Sequence, residues 1–225
     1  RVVGRMDVAS VGNTGDDDQI RWVTILDDVV RSDYETVSKA VKAIRRRYIN
    51  FSRKWTNTWA QGVIELELVD MQRIQNMVGT GDRGERKRSV LLDMCGGEQD
   101  WEWRDQWNTA RTDYTLLHTH FVMGANSSDW DEIKEDAKKR WSGRYRVKID
   151  RLHQDKSLNE NIRKMSSYCF KNRMQYHYDF GGFKWEDEID DENQFNVVEM
   201  NTLFYLYDKL MGSSRTGLLL GWNSK

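Results

Sequence analysis

The hydrophobic and polar residues of this chain follow two periods, one of two residues and one of three to four. Strand side chains point to opposite faces in turn, so short alternating or apolar runs predict β-strands. Such runs occupy residues 20–26, 62–69, 115–123 and 145–149. Apolar stripes at helical spacing predict helices over residues 32–48, 128–141, 158–169 and 197–210. Together these elements predict an α+β fold.

Residues 71–112 interrupt this pattern. Charged and glycine-containing pieces surround one short strand candidate at residues 90–94, and we interpret the whole segment as an insertion. Residues 1–19 are rich in Gly and Asp and predict a flexible lead-in. The chain has 225 residues, of which 38% are hydrophobic and 12% aromatic, so we expect residues 20–225 to form one domain with an ample core.

Local residues also predict where two helices begin and end. Ser32 and Glu35 have the spacing of a capping box, and Ser128 precedes an acidic first helical turn. Gly143 and Gly212 follow the last apolar positions of their helices, where glycine is the favoured terminating residue.

The charge and cysteine content restrict the classes of function. The net charge is −1, so a nucleic-acid partner has to be held by local basic patches rather than by a globally basic surface. Cys95 and Cys169 show no pairing pattern, which predicts reduced thiols in a cytoplasmic protein. No apolar run approaches the ~20 residues that span a bilayer, and no signal peptide is visible, so we expect no membrane partner.

His118-Thr119-His120 lies inside the most apolar predicted strand. Two imidazoles two positions apart on a strand point to the same side and can bind one metal ion. A carboxylate from a neighbouring strand, Glu67 or Glu65, would complete a ligand set suited to Mn²⁺, Zn²⁺ or Mg²⁺. The alternative interpretation is two partly buried histidines with ordinary hydrogen bonds, and two glutamates on the solvated face of an amphipathic strand.

Tyr168 lies at the edge of a predicted helical stripe, with Lys171 and Lys164 one turn away on its side of the helix. A free phenol has a pKa of ~10 and is a weak nucleophile at neutral pH. Nearby lysines favour the tyrosinate and attract a phosphate. The alternative is a surface tyrosine flanked by solvated lysines.

Two further patterns bear on nucleic-acid binding. The basic cluster at residues 83–88 is typical of a solvated loop, and it can also contact a phosphate backbone. Trp101, Trp103 and Trp107 can stack on bases, although core or interface packing is the commoner role of tryptophan. A G-x-G-x-x-G string at residues 79–84 lacks the apolar helix that a dinucleotide site requires.

The order of these motifs resembles that of the HUH endonucleases, in particular the rolling-circle replication initiator (Rep) proteins of small plasmids. That family has an early "FLTLT" strand, a "G…LE" strand, a His-hydrophobic-His motif and a Tyr-x-x-Lys helix. The corresponding segments here are Trp22-Val23-Thr24-Ile25-Leu26, Gly62 through Glu67, His118-Thr119-His120 and Tyr168 through Lys171. Three features depart from the family pattern. Thr119 replaces a bulky apolar residue, the segment between Glu67 and His118 is long, and Lys164 stands where some members have a glutamate or a second tyrosine.

The resemblance implies a central antiparallel sheet covered by helices, with the His strand near its centre. It implies that His118, His120 and Glu67 bind Mn²⁺ or Mg²⁺, that Tyr168 attacks a DNA phosphate and that Lys171 assists it. The implied activity is strand-specific DNA nicking and rejoining through a 5′-phosphotyrosine, which initiates rolling-circle replication of a plasmid, a virus or a transposon. The implied partners are single-stranded or origin DNA and a host helicase and polymerase, because the chain has no Walker A motif of its own.

Two other functions are compatible with the same residues. One is a non-catalytic replication accessory domain that binds single-stranded nucleic acid and uses its histidines structurally. The other is a cupin-like metal hydrolase, but Gly124 and Ala125 stand where the cupin pattern has a glutamate.

Overall fold

Five strands and four helices make up the described part of the chain. The computed structural model describes residues 19–71, 74, 82–95, 114–153, 155–157, 160–161, 163, 194–211 and 218–222. The strands are β1 (Ile20–Arg31), β2 (Trp59–Val69), β3 (Tyr114–Gly124), β4 (Val147–Arg151) and β5 (Leu219–Trp222). The helices are α1 (Tyr34–Lys54), α2 (Asp82–Met94), α3 (Trp130–Arg140) and α4 (Val197–Met211).

The strands form one antiparallel sheet in the order β4-β1-β3-β2-β5. The His strand, β3, is therefore the central strand, and it pairs along its length with β1 on one side and β2 on the other. His118 lies opposite Glu65 of β2, and His120 lies opposite Thr24 of β1. The predicted α+β fold with a central antiparallel sheet is confirmed.

Helices α1, α3 and α4 cover one face of the sheet, which carries Ile64, Leu66 and Leu68 of β2. We call this the helix-packed face. The predicted apolar stripes of α1 and α3 are confirmed, because their members are buried in the same core cluster. In α1 these members are Val37, Val41, Ile44 and Tyr48. In α3 they are Trp130, Ile133 and Ala137, and Trp141 follows directly after the helix.

Helix α2 covers part of the opposite face, which we call the histidine face. Val90 and Leu91 of α2 pack against Leu26 and Leu116 of the sheet. The strand predicted at residues 90–94 was therefore wrong, since these residues form the last turns of a helix. The buried side of α2 includes Lys87. Because a charged residue occupies this buried position, the apolar residues of α2 do not form a continuous helical stripe in the sequence.

The structure corrects two predicted helix caps. Asp33, not Ser32, caps α1, because its carboxylate accepts a hydrogen bond from the Thr36 amide at 2.8 Å. The Ser32 hydroxyl instead forms a hydrogen bond with the Thr115 hydroxyl at 2.8 Å. The predicted Ser128 cap was also wrong, since Ser127–Asp129 form a 3₁₀ turn and the α-helix begins at Trp130.

Several sequence predictions fall outside the described residues. They concern the lead-in up to residue 18, the helix carrying Tyr168 and Lys171, the three tryptophans of residues 101–107, Cys169 and the helix stop at Gly212. Cys95, within the described residues, is a free thiol, and burial raises its pKa to about 12. Among the described helices, none is both long enough and apolar enough to cross a bilayer.

Candidate metal centre

Glu65, His118 and His120 meet on the histidine face at the middle of the sheet. His118 and His120 share a face because they are two residues apart on β3, and the β2–β3 register puts Glu65 directly opposite His118. The Glu65 Oε2 atom lies 3.3 Å from His120 Nε2 and 3.7 Å from His118 Nε2. One ligand atom from each of the three residues lies within 4.8 Å of the other two.

The 3.3 Å separation of Glu65 from His120 matches that of two ligands on one cation, and the 3.7 Å separation from His118 is slightly longer. Two ligand atoms that are each ~2.1 Å from a metal lie roughly 3.0 to 3.4 Å apart in octahedral or tetrahedral geometry. All three side chains are at most 5% exposed. Burying a carboxylate is costly unless a cation or hydrogen bonds offset its charge. The described residues therefore include one buried Glu65–His118–His120 group that can hold a metal ion.

A hydrogen bond and a ring contact orient the His120 imidazole. Its Nδ1 atom is 3.0 Å from the Thr24 hydroxyl, and its ring stacks on Trp22 with a centroid distance of 5.5 Å. With Nδ1 bound to Thr24, the Nε2 atom points toward Glu65. Partners of this kind set the tautomer and the direction of metal-binding histidines. The "FLTLT"-like strand thus supplies the residues that position His120.

Glu67 adjoins the same group but has a different principal partner. Its Oε1 atom is 2.5 Å from Lys87 Nζ, while its Oε2 atom is 3.6 Å from His118 Nε2. The sequence interpretation preferred Glu67 as the ligand and left Glu65 open. The geometry favours Glu65, because its carboxylate is close to both imidazoles. Neither glutamate is on a solvated face, since both are at most 6% exposed.

Thr119, between the two histidines, points to the helix-packed face. Its hydroxyl donates a hydrogen bond to the carboxylate of Asp27, which sits at a β-bulge of β1. The same carboxylate accepts hydrogen bonds from Trp141 Nε1 at 2.8 Å and from Tyr48 Oη at 3.3 Å. Burial raises the pKa of Asp27 to about 6, although these hydrogen bonds and the Arg47 guanidinium act in the opposite direction.

The structure brings together some of the predicted site residues and leaves others outside its description. His118, His120 and Glu67 lie together as predicted, and Glu65 joins them. Tyr168 and Lys171 are outside the described residues, so their roles stay predictions. The sequence interpretation missed Lys87, which it placed in a solvated basic loop. The buried positions Gly84, Lys87, Val90 and Leu91 have helical spacing, and that spacing was the available signal.

Comparisons with known proteins add no family assignment. No protein-family model matches the chain, and the searches of curated proteins and of solved structures find no significant match. The structure itself shows a five-stranded antiparallel sheet, covered by helices, with a buried Glu/His/His group that can hold a metal. This arrangement is compatible with the HUH architecture.

Proposed function

We propose that this protein is a metal-dependent, strand-specific DNA nickase and ligase of the HUH type that initiates rolling-circle replication. The observation that carries the proposal is the buried Glu65–His118–His120 group on the central strand of an antiparallel sheet. His-x-His on a central strand, facing a carboxylate of the next strand, is the arrangement that the resemblance implies.

Mn²⁺ or Mg²⁺ bound there would polarise a scissile phosphodiester and offset the charge that develops on its oxygens. The two imidazoles and the Glu65 carboxylate would hold the ion, and Thr24 and Trp22 keep His120 in place. Their burial excludes water from the ligand side of the site, so electrostatic interactions there are strong.

Tyr168 is the proposed nucleophile. Its phenolate oxygen attacks phosphorus, the bond from phosphorus to the 3′ oxygen breaks, and that oxygen takes up a proton. The products are a 5′-phosphotyrosine and a 3′-OH that primes synthesis by a host polymerase, with unwinding by a host helicase. Lys171 stabilises the phenolate or the phosphate. In the reverse reaction, a 3′-OH attacks the phosphotyrosine, the strand is resealed and Tyr168 is released.

An exposed basic and aromatic cluster supports a single-stranded DNA partner. The guanidinium carbons of Arg86 and Arg144 lie 5.0 Å and 4.7 Å from the ring centroid of Tyr145. Tyr145 is 43% exposed and has φ 63°, a left-handed conformation that is rare for a bulky residue and is often associated with function. We call these three residues the Tyr145 cluster; arginines beside an aromatic ring are typical of single-strand contacts.

Covalent trapping tests the nicking proposal. The protein is incubated with an origin-type single-stranded oligonucleotide, labelled on the 3′ side of the candidate nick, and Mn²⁺. We expect a labelled adduct that resists denaturation, that disappears with a chelator and that does not form in Tyr168→Phe. An adduct that persists in Tyr168→Phe excludes Tyr168 as the nucleophile, and the absence of any adduct in the wild type contradicts the nicking activity.

The second candidate function is a non-catalytic domain that binds single-stranded nucleic acid. The Thr24 hydrogen bond and the Trp22 stack of His120 are contacts that a structural histidine can also make. Isothermal titration with Mn²⁺ separates the two functions. The nickase requires binding by the wild type that His120→Ala abolishes, whereas the accessory domain requires no Mn²⁺ binding by either protein.

A further inference from the structure

Lys87 places a buried cation next to the candidate metal centre. It is 1% exposed, and its ammonium nitrogen is 2.5 Å from the Glu67 carboxylate. The other oxygen of that carboxylate is 3.6 Å from His118 Nε2. A lysine is rarely buried to this extent, because its charge has to be offset by a partner.

The ion pair affects the charge of the centre. Glu65 and Glu67 are two carboxylates beside the same imidazole, and both together would neutralise a divalent cation. Lys87 offsets the charge of Glu67, so a divalent cation bound by Glu65 and two neutral imidazoles keeps a net positive charge. A positive centre attracts a phosphodiester anion, whereas a neutral centre loses most of that attraction.

We propose that Lys87 is a positioning residue that keeps Glu67 out of the metal ligand set and thereby keeps the loaded centre positive. This inference rests on the metal-binding part of the proposed function. Helix α2 lies in the segment that interrupts the family pattern, and it delivers the ammonium to the histidine face beside Glu67. The segment therefore contributes a charge to the centre as well as an apolar cover for the sheet.

A merely structural ion pair would behave differently. If the Lys87–Glu67 pair only anchors α2 on the sheet, removal of either partner loosens the same contact and shifts metal affinity in the same direction. If Lys87 sets the charge of the centre, the two single substitutions act in opposite directions. If Glu67 is itself a metal ligand, replacement of both partners lowers the affinity.

The test is isothermal titration of the full chain with Mn²⁺, using Lys87→Met, Glu67→Gln, the double variant and Lys87→Arg. We expect Lys87→Met to bind Mn²⁺ about tenfold more tightly and Glu67→Gln about tenfold more weakly than the wild type. The double variant, in which a neutral pair replaces an ion pair, should bind within about threefold of the wild type. Lys87→Arg keeps the charge and should also stay near the wild type. Circular dichroism identifies variants that fail to fold, and the double variant and Lys87→Arg still test the inference in that case.

Each result has one interpretation. Single substitutions that act in the same direction overturn the charge-setting role in favour of a structural one. A double variant with strongly reduced affinity overturns the exclusion of Glu67 and makes it a ligand. A wild-type protein that binds no Mn²⁺ refutes both this inference and the metal-dependent function, whereas binding by the wild type with either of the first two results refutes the inference alone.

Discussion

The Thr119 hydroxyl donates a hydrogen bond to the buried carboxylate of Asp27, on the face of the sheet opposite the histidines. Thr119 is flanked in sequence by the two candidate metal ligands, and Asp27 lies at the bulge of the adjacent strand. The pair gives a threonine at this position a structural role that an apolar residue could not fill. An apolar side chain at this position would remove a hydrogen bond from a carboxylate that is 1% exposed.

Thr119→Val should therefore destabilise the protein more than a comparable threonine substitution elsewhere. We expect a loss of about 2 to 3 kcal/mol in the free energy of unfolding, because the lost bond is to a buried carboxylate. Thr115→Val is the matched control, since Thr115 is buried on the same strand but bonds only to the neutral Ser32 hydroxyl, and it should cost about 1 kcal/mol. Urea unfolding measures both values. Equal losses would show that the Asp27 contact adds nothing.

Asp27 should make the protein less stable as the pH rises from about 4 to about 6. Its pKa is raised from 3.8 to about 6, mainly by burial, so the folded state binds the proton more tightly than the unfolded state. Its stability contribution is present below pH 3.8 and is lost as the pH rises through about 6. The difference between these two pKa values corresponds to roughly 3 kcal/mol in the free energy of unfolding.

Asp27→Asn should remove this dependence. The difference in unfolding free energy between wild type and variant, measured in urea at several pH values, should change in favour of the variant between pH 4 and 6. The direction of this change follows from the raised pKa of Asp27. The loss of the interaction with Arg47 shifts the unfolding free energy of the variant but does not reverse that direction. A difference that stays constant over that range contradicts the raised pKa of Asp27.

Thr24→Val should weaken metal binding without removing a ligand. The Thr24 hydroxyl holds His120 Nδ1 at 3.0 Å, and the loss of such a partner lowers metal affinity about 10- to 100-fold. Isothermal titration with Mn²⁺ checks this value. Thr202→Val removes a threonine hydroxyl that bonds to the Val198 carbonyl within α4, and it should leave the affinity unchanged. Unchanged affinity in Thr24→Val would mean that packing alone orients the ring.

Gly62→Ala should disrupt the pairing of β2 with β3. A Cβ atom on Gly62 would lie 2.1 Å from the His120 carbonyl oxygen and 2.2 Å from Phe121 Cβ, so the backbones have to separate. We expect a loss of about 3 kcal/mol or more in thermal or urea unfolding. At Gly221 the nearest neighbour is the Ala60 carbonyl oxygen at 3.3 Å, so Gly221→Ala is a mild control. Similar losses in the two variants would contradict this close approach at Gly62.

Neutralising the Tyr145 cluster should weaken binding to single-stranded DNA. The double variant Arg86→Gln/Arg144→Gln should bind an oligonucleotide more weakly, and the slope of log affinity against log salt should fall by about 1.4. The control Lys39→Gln/Lys138→Gln removes two exposed charges from α1 and α3 and should leave the slope unchanged. Fluorescence anisotropy across a salt series distinguishes the pairs. Equal slopes for both double variants would exclude the cluster as a specific contact.

The sequence by itself predicted β1 to β4, the apolar stripes of α1 and α3, and the shared direction of His118 and His120, but not β5. These features depend on residues that are close in sequence, because the strand period of two and the helix period of 3.6 are properties of the local backbone. The antiparallel pairing of the strands is also confirmed, but it was implied by the resemblance and not by any local pattern.

Only the tertiary structure decided which charged residues are buried and what they contact. Glu65 and Glu67 alternate with leucines and look solvated, yet the β2–β3 register places Glu65 opposite an imidazole. Lys87 lies in a basic stretch that predicts a solvated loop, and Asp27 follows directly after a predicted strand, but each is buried against partners from distant segments. The burial of a charge depends on such long-range partners, whose identity no local pattern contains.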